Sequence, residues 1–246
     1  MGNYRHRLMG LKAEPFDGMG YVKDGKIFHL DGISKGGDSS AWVDLVGGVS
    51  FPLVTGVTFG TDHVAFASGH GEFKAAVTLN IPKDTGTIEA VITYPEARMG
   101  ILYTGKAGTM SFIMIAASRF LMATGRGARA SVEIPSSAKV SGKVSQYSVF
   151  DRSGKCNGVT MTTGASTYWS KNKNYAVIGA GSSGTNYPYI GNIYAIRAYN
   201  RHLTDEERLH NLEVDNERFS LGINLGGGNW LIINTLCCPQ EERRAA

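Results

Sequence analysis

Short β-prone runs recur along most of the chain, several of them with polar residues at alternate positions, and turn-forming residues such as Gly, Asn, Asp or Ser separate them. Clear examples are Lys26–Leu30, Asp62–Ala67, Thr87–Thr93, Met110–Ala116, Ser145–Asp151, Tyr175–Gly179 and Asn192–Tyr199. Alternation of this kind is typical of strands with one buried face, whereas the apolar stretch from 111 to 117 favours a strand buried on both faces. Many strands without an intervening helical pattern predict an all-β fold of two packed antiparallel sheets.

One segment near the C-terminus changes to a helical pattern. Thr204 is followed three residues later by Glu207, which is the spacing of a capping box at a helix N-terminus. The spacing predicts one short helix from about Asp205 to Asn216. Its expected apolar stripe consists of Leu209, Leu212 and Phe219, and its expected solvent-facing residues are Asp215 and Glu217.

The amino-acid composition of the chain is that of a globular domain, and it argues against nucleic acid and membrane as partners. Of the 246 residues 42% are hydrophobic, which is enough for a core, and the 32 glycines suit many tight turns. The net charge of +4 is small, and no cluster of basic residues alternates with aromatic residues, which argues against a nucleic-acid partner. No apolar run approaches the length of a membrane span, so no membrane partner is expected.

The patterns that would indicate a cofactor or a metal ion are incomplete. The segment from 179 to 184 matches G-x-G-x-x-G, but the residues after it would not form the helix that a dinucleotide site needs, so it is interpreted as a turn. Cys156 is isolated and Cys237 is adjacent to Cys238, which fits neither a zinc site nor a disulfide framework. We therefore expect no cofactor and no metal.

A catalytic pair of carboxylates is not found along any single predicted strand. Glycosidases place two carboxylates on either side of the scissile bond. The best candidate on a strand, Glu89, has Val91 and Thr93 at the two following positions on its face. The sequence favours a non-enzymatic protein, with a glycosidase that uses Glu89 and a distant second carboxylate as the remote alternative.

Aromatic residues near turns are the candidate contacts for a carbohydrate, because aromatic faces stack on sugar rings. They are Tyr168, Trp169, Tyr187 and Tyr189. A position in the core is the competing interpretation for all of them, and the pattern favours it for Tyr189 and for Trp42.

Two terminal segments flank the predicted sandwich of residues 21–220. Residues 1–20 form a basic arm with Arg5 and Arg7, and residues 221–246 form a tail with an apolar, strand-like run from 229 to 236. An apolar run outside a complete sandwich is a candidate contact for another chain. We expect assembly contacts at Arg5, Arg7, Trp230 and Ile232.

Two stretches of the chain resemble the concanavalin A-like lectin/glucanase superfamily, and within it the laminin-G-like jelly-roll domains of bacterial and phage proteins. The first runs from Gly25 to Gly32 and continues with Trp42–Gly48; the second, and stronger, runs from Gly191 to Glu207. The resemblance implies an antiparallel jelly roll that ends at the capped helix, with Trp42 in the core and Asp44 as a turn acceptor. Members bind glycans, mediate adhesion, decorate virions or space other domains, and a minority are glycosidases.

The resemblance and the termini together lead to two functional hypotheses. The N-terminal residues lack the apolar run of a secretory signal, so the first hypothesis is a non-enzymatic phage structural or decoration protein. It would join other virion chains through its termini and bind host-surface glycan as a further ligand. The alternative is an exported bacterial carbohydrate-binding or adhesion module, extracellular or at the cell surface, whose signal has been removed.

Overall fold

The computed structural model describes residues 17–36, 39–82, 84–94, 99–105, 109–116, 119–124, 129–150, 153–166, 173–180 and 187–225. In chain order the strands are β1 (Lys26–Asp31), β2 (Ala41–Val43), β3 (Ser50–Pro52), β4 (Val57–Phe59), β5 (Val64–Phe66), β6 (Lys74–Ala75), β7 (Thr87–Thr93), β8 (Met99–Tyr103), β9 (Met110–Ala116), β10 (Arg119–Thr124), β11 (Arg129–Glu133), β12 (Val144–Phe150), β13 (Ser153–Cys156), β14 (Val159–Thr160), β15 (Thr163–Ser166), β16 (Ala176–Ile178) and β17 (Gly191–Tyr199). A 3-10 turn covers Ser136–Ala138, and the helix α1 covers Asp205–Arg218. No helix in these ranges is long and apolar enough to cross a membrane.

The strands form two large antiparallel sheets and one hairpin. Sheet I has the order β14-β13-β12-β7-β17-β5-β4, and β1 pairs with the second half of β17 on the side where β5 pairs with its first half. Sheet II has the order β15-β11-β10-β9-β8-β16-β6, and β2 pairs with β3. The predicted all-β sandwich with one short C-terminal helix is confirmed, and each of the seven apolar runs that the sequence indicated contains a strand.

The core lies between the two sheets and follows from the alternation along the strands of sheet I. On β7 the side chains of Ile88, Ala90 and Ile92 belong to the main hydrophobic cluster, together with Ile101 and Leu102 of β8 in sheet II. The residues between them, beginning with Glu89, therefore lie on the opposite face of sheet I. That outer face is the one that α1 covers.

Trp42 and Asp44 have the structural roles that the sequence indicated. Trp42 is fully buried, and its indole nitrogen donates a hydrogen bond to the carbonyl of Asp31 at 3.0 Å. The Asp44 carboxylate accepts hydrogen bonds from the backbone nitrogens of His29 at 2.7 Å and Gly47 at 2.7 Å. Asp44 thereby joins the turn after β2 to strand β1.

Gly179, the first glycine of the G-x-G-x-x-G segment, follows strand β16 at a position where a larger residue would not fit. Its φ of +73° is in the region that favours glycine, and a Cβ atom there would lie 2.5 Å from the ring of Phe66. The structure thus explains this glycine by close packing at the end of a strand. Residues 181–184 of the segment lie outside the described ranges.

Helix α1 begins where the capping box predicts it. The Thr204 hydroxyl accepts a hydrogen bond from the Glu207 backbone nitrogen at 3.2 Å, and the Glu207 carboxylate accepts one from the Thr204 nitrogen at 2.8 Å. The helix continues to Arg218, two residues beyond the predicted end. The predicted solvent-facing position of Asp215 is wrong, because this side chain is completely buried against sheet I, whereas Glu217 is exposed.

The cap should contribute measurably to stability. We expect Thr204→Ala to lower the free energy of unfolding by about 1 kcal/mol, because it leaves the Glu207 amide without its side-chain acceptor. Urea denaturation followed by circular dichroism measures this change. The matched control is Thr162→Ala at an exposed loop position, which should change little. Equal midpoints for Thr204→Ala and the unmodified protein would contradict the capping role.

Candidate functional site

Two of the four predicted carbohydrate contacts, Tyr187 and Tyr189, lie among the described residues. Tyr168 and Trp169 lie outside the described residues, so their assignment stays a prediction. Tyr187 is half-buried, has a φ of +56°, and its carbonyl accepts a hydrogen bond from the Gly100 nitrogen at 2.9 Å. Such a φ is uncommon for a residue other than glycine, and here it lies in the segment that leads into β17.

Tyr189 requires a correction, because its side chain is 0% exposed and lies in the main core cluster. Its hydroxyl donates to the carbonyl of Thr93 or of Asn192, both at 2.9 Å. Its ring packs edge-on against Phe66 with the centroids 5.8 Å apart. A sugar cannot reach this side chain, so the competing core interpretation holds for Tyr189.

The four predicted assembly contacts, Arg5, Arg7, Trp230 and Ile232, all lie outside the described residues. Their role in joining this chain to others stays a prediction of the sequence.

The most prominent polar feature of the described chain is a buried cluster between α1 and sheet I, which we name the Arg197 cluster. It consists of Tyr21, Glu89, Arg197, Asn211 and Asp215, each 0% exposed. Arg197 on β17 lies directly opposite Glu89 on β7, and its Nε donates to the Glu89 carboxylate at 3.3 Å. Its two terminal nitrogens donate to the two oxygens of Asp215 on α1, one of them at 2.8 Å.

The remaining members complete the hydrogen bonding of the Arg197 cluster. The Tyr21 hydroxyl donates to Asp215 at 2.9 Å, and the Arg197 guanidinium lies 4.0 Å from the centre of the Tyr21 ring. Asn211 donates to Glu89 at 2.8 Å and accepts from the Val22 nitrogen at 3.0 Å. Because buried charges are tolerated only when paired and hydrogen-bonded, this arrangement explains how two carboxylates and one guanidinium are accommodated under the helix.

Glu89 is a structural residue in this arrangement. Burial raises the pKa of its carboxyl; Arg197 opposes that shift and the neighbouring Asp215 adds to it. The Glu89 side chain is fully buried, and its carboxylate is held by Arg197 and Asn211. The structure therefore does not support Glu89 as the carboxylate of a glycosidase.

His29 lies beside the Arg197 cluster on the outer face of β1 and is also 0% exposed. Neither ring nitrogen has a hydrogen-bond partner among the described residues, since the Asp31 carboxylate is 3.8 Å away. Its ring meets that of Tyr21 edge-on, with the centroids 5.2 Å apart. Burial lowers the pKa of His29 well below its usual value, and the charge of Arg197 and of two further cations lowers it further.

A groove of about 380 Å³ opens beside the Arg197 cluster, between α1 and strands β12 and β13. We name it the α1 groove. Gln146 and Ser148 on β12 form its floor. Leu209 and Leu212 on α1 form an apolar wall, and Lys155 and Asp205 lie at its mouth. Most of the surface that it offers is apolar carbon, and its size falls within the range of small-molecule sites.

The floor of the α1 groove contains a hydroxyl without a partner. Gln146 and Ser148 alternate with the core residues Tyr147 and Val149 on β12, which places both on the outer face. Ser148 is 1% exposed, and its Oγ has no hydrogen-bond partner among the described residues. Buried polar groups are normally paired, so this hydroxyl beside the groove is a group that an additional hydrogen bond would satisfy.

The far side of the α1 groove is closed by the turn between β13 and β14. Gly158 in this turn has a φ of +81°, and a Cβ atom there would be 3.2 Å from a methyl group of Leu212. At the mouth, the Lys155 ammonium lies 3.0 Å from the Asp205 carboxylate. Sequence reasoning did not identify this site, since the polar positions of β12 become a floor only after α1 packs beside them. Among the described residues no three His, Cys, Asp or Glu side chains group as a metal site.

Comparison with known proteins supports the fold and no more. No protein-family model and no curated protein matches the chain. Among solved structures it is similar to Trypanosoma rangeli sialidase, with a TM-score of 0.52 and 14% identity over 78% of this chain and 33% of that one. It is also similar to the botulinum neurotoxin serotype D binding domain, with a TM-score of 0.55 and 13% identity over 77% of this chain and 52% of that one.

The chain thus spans about a third of the sialidase and about half of the toxin structure that it matches. Both likenesses are to β-sandwich folds, and at this identity they show that the chain has such a fold. They do not identify a site, because fold alone does not determine function.

The two acidic residues that the sequence placed on the solvent face of α1 should behave differently when removed. We expect Asp215→Ala to lower the free energy of unfolding by about 3 to 5 kcal/mol, because it leaves a buried guanidinium without its main partner. Glu217→Ala, on the exposed face of the same helix, should change it by less than about 0.5 kcal/mol. Urea denaturation of both variants measures the difference. Similar losses for the two would contradict the buried pair.

The buried neutral His29 should make the protein less stable in mild acid. The pKa of His29 is lowered in the folded state, so below the unfolded pKa of about 6.5 the unfolded chain takes up a proton that the folded protein does not. The free energy of unfolding is therefore unaffected by His29 above that pH and falls as the pH drops below it. Below about pH 6 the loss should approach 1.4 kcal/mol per pH unit. We expect His29→Phe to reduce this slope, and the exposed His202→Phe to leave it unchanged, in urea denaturation between pH 7.5 and 5.5. The same slope in all three proteins would exclude His29 as its source.

Proposed function

We propose that this chain is a non-enzymatic carbohydrate-binding module of the concanavalin A-like kind, and that a saccharide binds in the α1 groove. The observation that carries the proposal is the Ser148 hydroxyl, buried and without a partner on the floor of a groove of about 380 Å³. The resemblance in sequence to laminin-G-like domains supports the same class. The structural likenesses to a sialidase and to a toxin binding domain are compatible with this class.

The chemistry of the α1 groove suits a sugar better than a purely apolar ligand. A saccharide ring has apolar C–H faces and hydroxyl groups around its edge. Leu209, which is half-buried, offers apolar surface to such a face, while Gln146 and Ser148 on the floor are uncharged polar residues. A ligand hydroxyl that bonds to Ser148 would satisfy a group that is otherwise buried and unpaired, which favours binding.

The non-enzymatic part of the proposal rests on the acidic groups near the α1 groove. Glu89, which lies opposite Ser148 on the same face of sheet I, is held by Arg197 and Asn211. Asp205 at the mouth is bound by Lys155 and Arg208. The hydrogen bonds from Lys155 and Arg208 lower the pKa of Asp205, which suits neither a general acid nor a shared proton. Release of sugar from any β-glucan or oligosaccharide by the purified protein would overturn this part.

The proposal is tested by removing the unpaired hydroxyl. A glycan array followed by calorimetric titration identifies a saccharide ligand and its dissociation constant. We expect Ser148→Ala to weaken binding by roughly tenfold, the value of one hydrogen bond to a buried group, and to leave the free energy of unfolding unchanged or slightly higher.

The matched control is Ser111→Ala in sheet II, which removes a buried hydroxyl that accepts from the Thr104 nitrogen at 3.2 Å. This control should lower stability and leave sugar affinity unchanged. No saccharide binding at millimolar concentration, or equal affinity in Ser148→Ala and the unmodified protein, would contradict the proposed function.

A further inference from the structure

We propose that residues 17–22, which we name the N-terminal strap, form an acid-sensitive latch. In mild acid the strap detaches from α1 and β1, while the two sheets stay folded. The strap precedes β1 and lies outside the strands, so it can open at a lower free energy than the sheets. Its release goes beyond the proposed function, because it requires no saccharide in the α1 groove.

Hydrogen bonds join the strap to α1. They run from the Tyr21 hydroxyl to Asp215 at 2.9 Å, from the Val22 nitrogen to Asn211 at 3.0 Å, and from His210 Nε2 to the Gly20 carbonyl at 2.7 Å. At the other end of the strap, the Asp17 carboxylate binds the Lys26 ammonium of β1. The hydrogen bonds of a short segment outside the sheets can break together in a local opening, before the core is exposed.

The strap covers His29, which is 0% exposed on β1. The Tyr21 ring meets the imidazole edge-on, with the centroids 5.2 Å apart. Neither nitrogen of that imidazole has a hydrogen-bond partner among the described residues. Burial without partners is costly for a polar ring, so lifting the strap would let water supply the missing hydrogen bonds.

The surroundings of His29 in the closed structure keep its ring neutral. Burial lowers the pKa of His29 well below its usual value, and the charges of Arg197, Lys26 and Arg218 lower it further. The charged and titratable groups around the ring are, by element, Tyr21 in the strap, Lys26 and Asp31 on β1, Asp44 in the turn after β2, Arg197 on β17, and Arg218 on α1.

Both carboxylates in this set already have other partners. Asp31 lies 3.8 Å from Nε2 of His29 and accepts a hydrogen bond from Arg218 at 2.8 Å. Asp44 accepts one hydrogen bond from the backbone nitrogen of His29 at 2.7 Å and another from that of Gly47 at 2.7 Å. A protonated His29 would therefore be repelled by its cationic neighbours as long as the strap keeps water out.

Mild acid favours the open state, because only there can His29 readily take up a proton. With the ring in water its pKa returns to about 6.5, so the open population rises by about tenfold between about pH 7.5 and 5.5. His210 does not produce the same effect through its bond to the strap. A neutral ring protonated at Nε2 and an imidazolium both donate to the Gly20 carbonyl.

Native-state hydrogen exchange at low, non-denaturing urea concentrations tests the latch. The reporters are the amides of Tyr21 and Val22, which donate to Asp17 and to Asn211. After correction for the intrinsic pH dependence of exchange, we expect about tenfold more opening at about pH 5.5 than at about pH 7.5. We also expect little dependence on urea, whereas amides of β7 should exchange only with global unfolding and depend steeply on urea.

Variants separate the proton from the contacts that hold the strap. His29→Phe and His29→Gln both remove the titrating ring and should reduce the pH effect on the strap to less than about twofold. His202→Phe, at an exposed position, is the control and should leave the effect unchanged. Tyr21→Phe removes the hydrogen bond to Asp215 and should raise opening by roughly tenfold at both pH values, with their ratio unchanged.

Equal opening of the strap at the two pH values in the unmodified protein would overturn the latch, whatever the variants do. Exchange of Tyr21 and Val22 only through global unfolding, with the urea dependence of β7, would overturn it too. A tenfold effect that persists in both His29 variants would exclude His29 as its source and have the same consequence. The glycan array and Ser148→Ala test the saccharide site separately, so failure of the latch leaves the proposed function standing.

Discussion

The buried pairing of Arg197 with Asp215 joins helix α1 to sheet I, and the rest of the candidate site depends on it. Two carboxylates and a guanidinium are costly to remove from water unless every hydrogen bond is made, and Tyr21 and Asn211 supply the missing ones. The arrangement is directional, in contrast to an apolar contact, so it fixes where the helix lies along β7 and β17. Val22, before the first strand, is held to the same helix through Asn211.

The position of the helix then determines the surface beside it. Because α1 is held over β7 and β17, its edge lies beside the outer face of β12 and buries Gln146 and Ser148 there, and the α1 groove is the space that remains between them. The Ser148 hydroxyl on that face is removed from water by the helix without receiving a partner from it. Such a group is a cost to the folded protein that a bound ligand can relieve, which links the packing of the helix to the proposed binding of a saccharide.

The fold could be predicted from the sequence because its signals are local. Alternation within the Thr87–Thr93 run and the Thr204–Glu207 capping box depend on residues close together in the chain. The direction of Asp215 could not be predicted in this way, because its partner Arg197 is on a strand 18 residues earlier and amphipathic patterns assign charged residues to solvent. The sequence did contain one signal of a buried ion pair, since the apolar strands β7 and β17 carry charges of opposite sign at Glu89 and Arg197. The groove depends on packing between distant elements, so nothing in the Ser145–Asp151 run alone distinguishes Ser148 from an exposed serine.

The location of the saccharide is the central claim, and backbone chemical-shift mapping tests it most directly. The ¹⁵N-labelled protein is titrated with the saccharide that binds most tightly on the array. The account predicts shifts confined to the amides of Gln146–Ser148 on β12 and of Leu209–Glu213 on α1, around the groove. Shifts that centre on Tyr187 and leave β12 and α1 unchanged would contradict it, and would return the site to the aromatic turns that the sequence indicated.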